Sequence, residues 1–159
     1  TSVGVGFEAR VTYESHRIKN LRGPAIYLAA LVRVLNDLQT YPVRIDWSAG
    51  TWSGNMLLAS IGNGARVGGA FRMTPDARND DGMLDMCLAP KLGLLSLLRL
   101  LPRTFNGSHA RSRHVRLCRG PRIRITSPVG MPVHIDGEMV GLDIKALDLQ
   151  LAERALRTF

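Results

Sequence analysis

The chain has 159 residues, of which 45% are hydrophobic and 21% charged, and its formal net charge is +8. This length and apolar content predict one globular domain with its own core, over residues 1–159. The longest dense apolar run, 92–101, is interrupted by a glycine, a serine and an arginine, and it falls short of the roughly 20 residues of a bilayer span. The sequence therefore predicts no transmembrane helix.

The two cysteines and the N-terminus bear on where the chain works. Cys87 and Cys118 lie in short apolar stretches, lack C-x-x-C spacing and are too few to staple a chain of this length. We expect both to be reduced and buried, as in a cytoplasmic protein. Thr1–Arg10 lacks the basic head and long apolar segment of a signal peptide. Because patterned sequence begins at once, we expect the chain to be a piece of a longer protein.

Hydrophobic periodicity predicts many short strands and two helices. Gly4 and Gly6 fall on one face of the first strand, where a neighbouring group must approach the backbone closely. Pro24 suits the first turn of one helix, and Asn106 with Gly107 supplies the usual C-terminal cap of the other. Strands are predicted at 2–11, 43–47, 56–61, 83–89, 115–118, 122–126, 133–136 and 144–152, an extended stretch at 70–73, and helices at 24–39 and 92–105.

This succession of elements predicts the fold class. Short strands separated by glycine and proline turns, with a few helices among them, are typical of a mainly β domain. We expect an antiparallel β-sandwich with two or so helical insertions, an α+β arrangement. The run 56–61, apolar except for Ser60, predicts a buried strand, and no internal repeat is present.

A glycine-rich segment, 62–69, has a spacing similar to that of a phosphate-binding loop. Such a loop presents backbone N–H groups to phosphate when a helix follows it. An extended stretch follows here instead. We therefore favour a loop that lets the backbone pass close to a neighbour or substrate, with the phosphate loop as the alternative.

Residues 76–85 form a dense acidic turn in an otherwise basic chain. Carboxylate and carbonyl oxygens suit a hard cation such as Mg²⁺ or Ca²⁺. The segment is not an EF-hand, because aligning Gly82 with the invariant glycine of that loop places Ala77 and Leu88 at the first and last ligand positions. Taken alone, a hairpin turn that happens to be acidic is the favoured interpretation.

At 134–138 a predicted strand runs into a tight turn that carries Asp136 and Glu138 on either side of Gly137. A carboxylate at a rigid strand end can act as general base on a hydroxyl. From spacing alone, a solvated Asp-Gly turn is the favoured interpretation. The remaining histidines have no acidic or cysteine partner at ligand spacing, so surface or structural roles are preferred for His16, His109 and His114.

Positive charge is concentrated in one segment. From Arg99 to Arg124 there are eight arginines and no acidic residue. Such a block suits an anionic membrane or nucleic-acid phosphate, since either gains from charge neutralisation and counterion release. A solvated basic face is the equally weighted alternative. Phe105 is the one aromatic residue among the arginines, which disfavours a platform for single-stranded nucleic acid.

Several segments occur in an order that is specific as a set, although each is weak alone. They are Ser2-Val3-Gly4-Val5-Gly6-Phe7-Glu8-Ala9, Asn63-Gly64, Gly68-Gly69, Thr74-Pro75, Ala77, Asp81-Gly82-Met83-Leu84-Asp85, Asn106-Gly107-Ser108-His109 and Ile135-Asp136-Gly137-Glu138. Through them almost the whole chain resembles the C-terminal domain of soluble diacylglycerol kinases, bacterial lipid kinases and sphingosine or ceramide kinases.

The resemblance implies roles for the two carboxylate segments. Glu138 would be the general base on a lipid hydroxyl, with Asp136 close by. A structural Mg²⁺ would be held by the Asp81 carboxylate and the backbone carbonyls of Arg78 and Met83.

The glycine-rich segment would belong to the substrate side of the cleft, through Asn63, Gly68 and Gly69. Two departures from the family pattern are modest. Ala70 stands where a third glycine is frequent, which would narrow this loop, and Glu8 replaces a commoner aspartate.

The family's nucleotide loop, of G-G-D-G-T type, occurs nowhere in the 159 residues. The resemblance therefore implies the C-terminal domain of a two-domain lipid kinase, inactive alone because phosphoryl transfer needs both halves. An N-terminal domain of the same polypeptide would bind ATP, and the γ-phosphate would pass to diacylglycerol or a sphingoid-type lipid.

The resemblance and the charge together suggest the partners. We expect peripheral binding to an anionic membrane through Arg111, Arg113 and Arg116, with a homodimer left open and nucleic acid disfavoured. The alternatives are a kinase of the related NAD kinase type and a non-catalytic basic β-sandwich that docks on membrane or nucleic acid. A lipid kinase needs Glu138, whereas a docking module does not.

Overall fold

The computed structural model describes residues 1–151, and the chain folds there into nine strands and three α-helices. In chain order the elements are β1 (Ser2–Gly6), α1 (Phe7–Arg17), α2 (Pro24–Asn36), β2 (Tyr41–Trp47), β3 (Gly50–Gly62), β4 (Leu84–Pro90), α3 (Leu94–Leu100), two 3₁₀ turns (Leu101–Thr104 and Ser108–Arg111), β5 (Arg116–Gly120), β6 (Arg122–Thr126), β7 (Val133–Ile135), β8 (Glu138–Gly141) and β9 (Ala146–Gln150).

All strand pairs are antiparallel, and β3 organises them. The strand order is β8-β7-β1-β3-β2-β6-β9, and β4 pairs with β3 and with β5. The first half of β3, from Gly50 to Met56, pairs with β2, and its second half, from Leu58 to Gly62, pairs with β1 on one edge and β4 on the other. One long strand thus belongs to two parts of a curled sheet, which is consistent with the predicted β-sandwich.

The curled sheet separates two apolar cores. One lies between the strands and includes Ile45, Ile61 and Met86. The other, the helix-side core, lies between the sheet and the helices and includes Phe7, Val34, Leu57, Cys87 and Leu97. Both faces of β4 and of the second half of β3 are therefore covered, which explains why both segments are mostly apolar and confirms the prediction of a buried strand.

The first predicted strand is wrong beyond Gly6. β1 ends there, and α1 begins at Phe7. Gly6 has a φ of 74° and no room for a side chain, because a Cβ would lie 2.4 Å from the carbonyl oxygen of Leu57. The chain therefore turns at Gly6, and Phe7 and Val11, one helical turn apart, both pack in the helix-side core. The described residues hold three helices instead of the predicted two.

The second predicted helix is confirmed in part. α3 covers Leu94–Leu100 and continues as the first 3₁₀ turn. Gly107 has a φ of 81°, and the Ser108 N–H donates to Asn106 Oδ1 at 3.0 Å, so the chain turns at the predicted residues, although Phe105 caps the preceding 3₁₀ turn.

Smaller differences concern segment ends. The stretch 70–73 forms no strand and contributes one isolated bridge, β8 was not predicted, and β9 is shorter than the predicted 144–152, of which Ala152 lies outside the described residues.

The cysteines are free, as predicted. Cys87 lies opposite Leu117, and Cys118 lies opposite Met86, so the two thiols point to opposite faces of the β4–β5 pair. Cys87 is buried as expected, and that burial raises the pKa of its thiol to about 12, whereas Cys118 is half-buried. In the described part of the chain, no helix is both long and apolar enough to cross a bilayer.

Candidate active site

Strand register brings three predicted site segments to one end of the sheet. Ser2 of β1 pairs with Gly62 of β3, and Gly62 pairs with Asp85 of β4. On the other edge of β1, Val3 pairs with Ile135 at the end of β7. The glycine-rich loop, the acidic turn and the turn before Glu138 therefore all leave the sheet at the same end, which we call the site end.

Asp136 and Gly137 form the two-residue turn between β7 and β8. Their φ values are 48° and 89°, the positive pair that a tight hairpin turn requires. Ser2 fixes this turn, because its N–H donates to Asp136 Oδ1 at 2.6 Å and its carbonyl accepts the Asp136 N–H at 2.8 Å. The hydroxyl of Ser2 also donates to Asp136 Oδ1, at 3.2 Å. The predicted catalytic residue Asp136 thus anchors the turn to β1.

Glu138 follows directly, paired with Ile135 across the turn. Its side chain is exposed and, within residues 1–151, forms no hydrogen bond or ion pair. The backbone of Glu138 is held while its carboxylate stays available, which is the arrangement a general base needs.

His134 makes a second contact with this turn. Its ring is buried, and Nδ1 accepts the Gly137 N–H at 3.3 Å. Because Nδ1 accepts, the neutral ring carries its proton on Nε2. Nε2 lies 3.3 Å from Glu8 Oε1. Glu8 stands in the first turn of α1, where the helix dipole favours a carboxylate.

The Glu8–His134 pair was not predicted from the sequence. In the sequence, Glu8 stands out only as a departure from the family pattern, and His134 only by its position in the predicted strand that ends at Asp136. The sequence feature that indicates the pair is Gly4, where the pattern predicts that a neighbouring group lies close to the backbone. That prediction is confirmed: Gly4 pairs with His134 across β1 and β7, and a Cβ at Gly4 would lie 2.1 Å from His134 Nε2.

The acidic turn is closed by its own hydrogen bonds. Asp81 Oδ1 accepts the Met83 N–H at 3.0 Å, and Asp81 Oδ2 is paired with the guanidinium of Arg119. With its amide nitrogen oriented toward them, Asn63 donates to the carbonyls of Arg78 at 3.3 Å and Met83 at 3.2 Å. The structure therefore joins the predicted substrate residue Asn63 to the predicted metal ligands.

These residues fit a hard cation. The carbonyl oxygens of Arg78 and Met83 converge on a single donor, and Asp81 adds a carboxylate beside them. Among residues 1–151 no three His, Cys, Asp or Glu side chains gather at one point, so a cation at this turn would depend on backbone carbonyls. Nearby, burial raises the pKa of Asp85, and the Arg119 guanidinium, 3.8 Å away, opposes that shift.

The glycine-rich loop ends in a miniature hairpin. The N–H of Val67 donates to the Phe71 carbonyl at 2.8 Å and the Phe71 N–H returns the bond at 3.1 Å. Gly68 and Gly69 at its tip have φ values of 56° and 72°, and a Cβ on either would meet nothing within 4 Å. Both glycines are therefore explained by backbone conformation, and no helix follows to present N–H groups to a phosphate.

The arginine block divides into two sets. Arg119 pairs with Asp81, and Arg122 donates to Asp148 at 2.7 Å, a bond that lowers the pKa of Asp148. The predicted membrane residues Arg111, Arg113 and Arg116 are instead exposed and, in the described chain, without an ion-pair partner. They do not join the cluster at the site end, since Arg116 pairs with Leu88, three positions along β4 from Asp85.

Comparison with known proteins gives the family. Residues 1–154 match the model described as YegS C-terminal NAD kinase beta sandwich-like domain. A diacylglycerol kinase from Mycobacterium tuberculosis is 30% identical over 140 residues, covering 87% of this chain and 45% of the relative. A Pseudomonas aeruginosa protein named "Probable lipid kinase YegS-like" is 31% identical over 157 residues, covering 96% of this chain and 49% of the relative.

A crystal structure of a diacylglycerol kinase from Bacillus anthracis strain Sterne superposes with a TM-score of 0.64 at 18% identity, over 94% of this chain and 47% of that one. At this identity the likeness concerns the fold. The chain thus spans about half the length of the relatives it matches. It belongs to the YegS-type C-terminal beta-sandwich-like domains of the diacylglycerol kinase and YegS-like lipid kinase family.

Proposed function

We propose that this chain is the substrate-side domain of an ATP-dependent lipid kinase, with Glu138 as general base. The observation that carries the proposal is the state of Glu138: exposed, unpaired within residues 1–151, and next to a turn that Ser2 and His134 hold. The curated relatives named diacylglycerol kinase make the hydroxyl of diacylglycerol the first substrate to test.

In the proposed reaction the lipid hydroxyl oxygen forms a bond to the γ-phosphorus of ATP. The bond from that phosphorus to the β,γ-bridging oxygen breaks, ADP leaves, and the hydroxyl proton passes to Glu138. ATP would be held by a nucleotide-binding domain outside this chain. Asp81 with the carbonyls of Arg78 and Met83 would hold a structural Mg²⁺, which would order the acidic turn beside Asn63.

The test is Glu138→Gln in the two-domain enzyme. Glutamine keeps the shape of the side chain but cannot take the proton, so kcat should fall by at least about 10² fold, while ATP affinity and folding stay nearly unchanged. Asp136→Asn is the matched comparison. It should reduce kcat less, because the asparagine oxygen can still accept from Ser2. A Glu138→Gln enzyme with near-normal kcat would place the base elsewhere and leave this domain a lipid-binding lid.

The partner of the exposed arginines is part of the proposal. Arg111, Arg113 and Arg116 lack counter-charges in the described residues, and each basic residue near an anionic membrane contributes about 1 kcal/mol. They support peripheral binding of the enzyme to the membrane that carries its substrate.

A further inference from the structure

Helix α3 is apolar on two sides, and the fold uses one of them. Leu97, in the helix-side core, and Leu100 are 3% and 7% exposed. On the outer side Leu94, Leu95 and Leu98 are 44%, 69% and 44% exposed. A helix with apolar residues all round is normally covered all round. Within residues 1–151 nothing covers the outer side of α3.

The exposed apolar surface continues beyond the helix. After the 3₁₀ turn, Phe105 is 55% exposed, and its ring stacks on Phe71 with centroids 4.9 Å apart. Phe71 belongs to the miniature hairpin in the loop that leaves the site end. We call Leu94, Leu95, Leu98, Phe105 and Phe71 the apolar stripe, and it connects the outer side of α3 with the substrate-side loop.

The charge around the stripe has one sign. Arg99 and Arg103, one helical turn apart, are exposed beside it. Between Asp85 and Asp136 the sequence has nine lysines or arginines and no acidic residue. An exposed apolar face bordered by arginines is the pattern of a helix that lies in the headgroup region of a membrane, because arginine stems pack on apolar surface while the guanidinium reaches phosphate.

The outer side of α2 is a natural comparison. Tyr27, Leu28 and Val32 are 61%, 63% and 51% exposed, so the area is similarly apolar. The arginines beside it are partly neutralised, however, because Glu14 pairs with Arg33 and Asp37 pairs with Arg10. Anionic phosphates would compete with those carboxylates for the arginines beside α2, whereas Arg99 and Arg103 beside α3 have no ion-pair partner in the described residues. Charge therefore distinguishes two exposed faces that apolar area alone does not.

We propose that the apolar stripe inserts into the headgroup region of an anionic bilayer, with Arg99 and Arg103 on lipid phosphates. This inference deepens the proposed function and rests on it, because a kinase that phosphorylates a membrane lipid must reach the bilayer. A second copy of the chain, packing its own stripe against this one, is the weaker candidate partner. Such a dimer would bring both sets of arginines together without an acidic group to neutralise them.

The experiment is co-sedimentation of the full two-domain protein with vesicles, without ATP. Leu95→Ser with Leu98→Ser should weaken partitioning onto phosphatidylcholine–phosphatidylglycerol vesicles by about tenfold or more. The double variant Arg99→Gln with Arg103→Gln should bind these vesicles more weakly by roughly fivefold per arginine. Its binding to phosphatidylcholine alone should change little. All four positions are exposed, so thermal melting should stay unchanged.

The matched control is Leu28→Ser with Val32→Ser on α2, which should bind vesicles as the unmodified protein does. Equal binding by the α3 leucine variant, or equal loss by the α2 control, would overturn the proposal. So would a shift from dimer to monomer in sedimentation velocity caused by the α3 leucine variant.

Activity separates this proposal from the function it rests on. A short-chain diacylglycerol dispersed as monomers should be phosphorylated equally by the α3 leucine variant and the unmodified enzyme, whereas vesicle-borne diacylglycerol should not. If the protein phosphorylates no lipid but binds vesicles through the stripe, the proposed function is wrong and the proposed membrane-binding surface is supported.

Discussion

Position 4 shows how one residue is fixed by its neighbours across two strands. A Cβ at Gly4 would lie 2.1 Å from His134 Nε2 and 2.8 Å from Glu8 Cδ, which no side chain could occupy without moving them. Glycine there lets the Glu8–His134 pair lie against the backbone of β1. The pair in turn reaches the Gly137 N–H, beside Glu138. We infer that His134 is a positioning residue for the proposed base.

His134→Ala tests this role. The variant removes the acceptor of the Gly137 N–H and the ring that lies against the Glu8 carboxylate, so we expect a less ordered turn and a lower free energy of unfolding. In the two-domain enzyme we expect kcat to fall between about 10 and 10² fold, because a small displacement of a catalytic group is costly. His134→Asn, whose Oδ1 can replace Nδ1 as acceptor, should recover most of kcat.

A buried histidine outside the β7–β8 turn provides the control. His109 is 2% exposed, and its Nε2 lies 3.0 Å from the Met73 carbonyl. His109→Ala should lower the melting temperature while the folded enzyme keeps its kcat. A His134→Ala enzyme that loses stability but keeps kcat would reduce His134 to a structural role.

Among the helices, strands and turns, those predicted best from the sequence are the ones that a single physical rule determines. The D-G-E turn and the turn at Gly107 were predictable because positive φ restricts the residue choice. The run in β3 was recognised as buried because both its faces are apolar. α1 was missed because the alternation of Val3 and Val5 extends to Phe7, and only the turn at Gly6, forced by the Leu57 carbonyl, shows that the strand has ended.

The site was predictable only to the extent that its residues are adjacent in sequence. Asp136 and Glu138 could be found together, whereas the contact between Glu8 and His134 depends on the pairing of β1 with β7. The contact between Asp81 and Arg119 likewise depends on the pairing of β4 with β5. Neither register is visible in the local pattern of the sequence.

The acidic turn gives a prediction at this scale. Asp81→Ala removes the acceptor of the Met83 N–H and the partner of Arg119, so the free energy of unfolding should fall by about 1–3 kcal/mol. If the turn holds Mg²⁺, adding Mg²⁺ after chelation should raise the melting temperature of the unmodified protein and not that of Asp81→Asn. Thermal melting with and without Mg²⁺ measures both effects.

Asp80 is the matched control, because it is exposed and its ion pair with Arg78 is a surface pair. Asp80→Ala should change stability by no more than about 0.5 kcal/mol. An unchanged melting temperature in Asp81→Ala, together with full activity, would reject both the structural and the metal role of the turn.

For the whole molecule, the distribution of charge and exposed apolar surface separates two functions. The site end gathers carboxylates at the Glu138 turn and the acidic turn. Elsewhere, α3 and the segment before β5 carry exposed leucines and unpaired arginines. A kinase acting on a membrane lipid needs both a base at its cleft and a surface that holds it on the bilayer. In the functions proposed above the chain would supply these two, and its sequence lacks the family's G-G-D-G-T type nucleotide loop.

This last absence leads to a prediction for the chain on its own. The sequence lacks the family's G-G-D-G-T type nucleotide loop, and in the described residues no helix follows the glycine-rich segment 62–69 to present N–H groups to ATP phosphates. With circular dichroism showing a cooperative melt, the isolated chain should show no saturable micromolar ATP binding in calorimetry at physiological salt. Its charge of +8 could attract ATP weakly, so the titration is repeated at high salt, where such attraction is screened. Micromolar affinity that survives high salt would contradict the assignment of ATP to another domain. The two-domain protein, titrated in parallel, should bind ATP at both salt concentrations, because its phosphates would then be held by a dedicated loop.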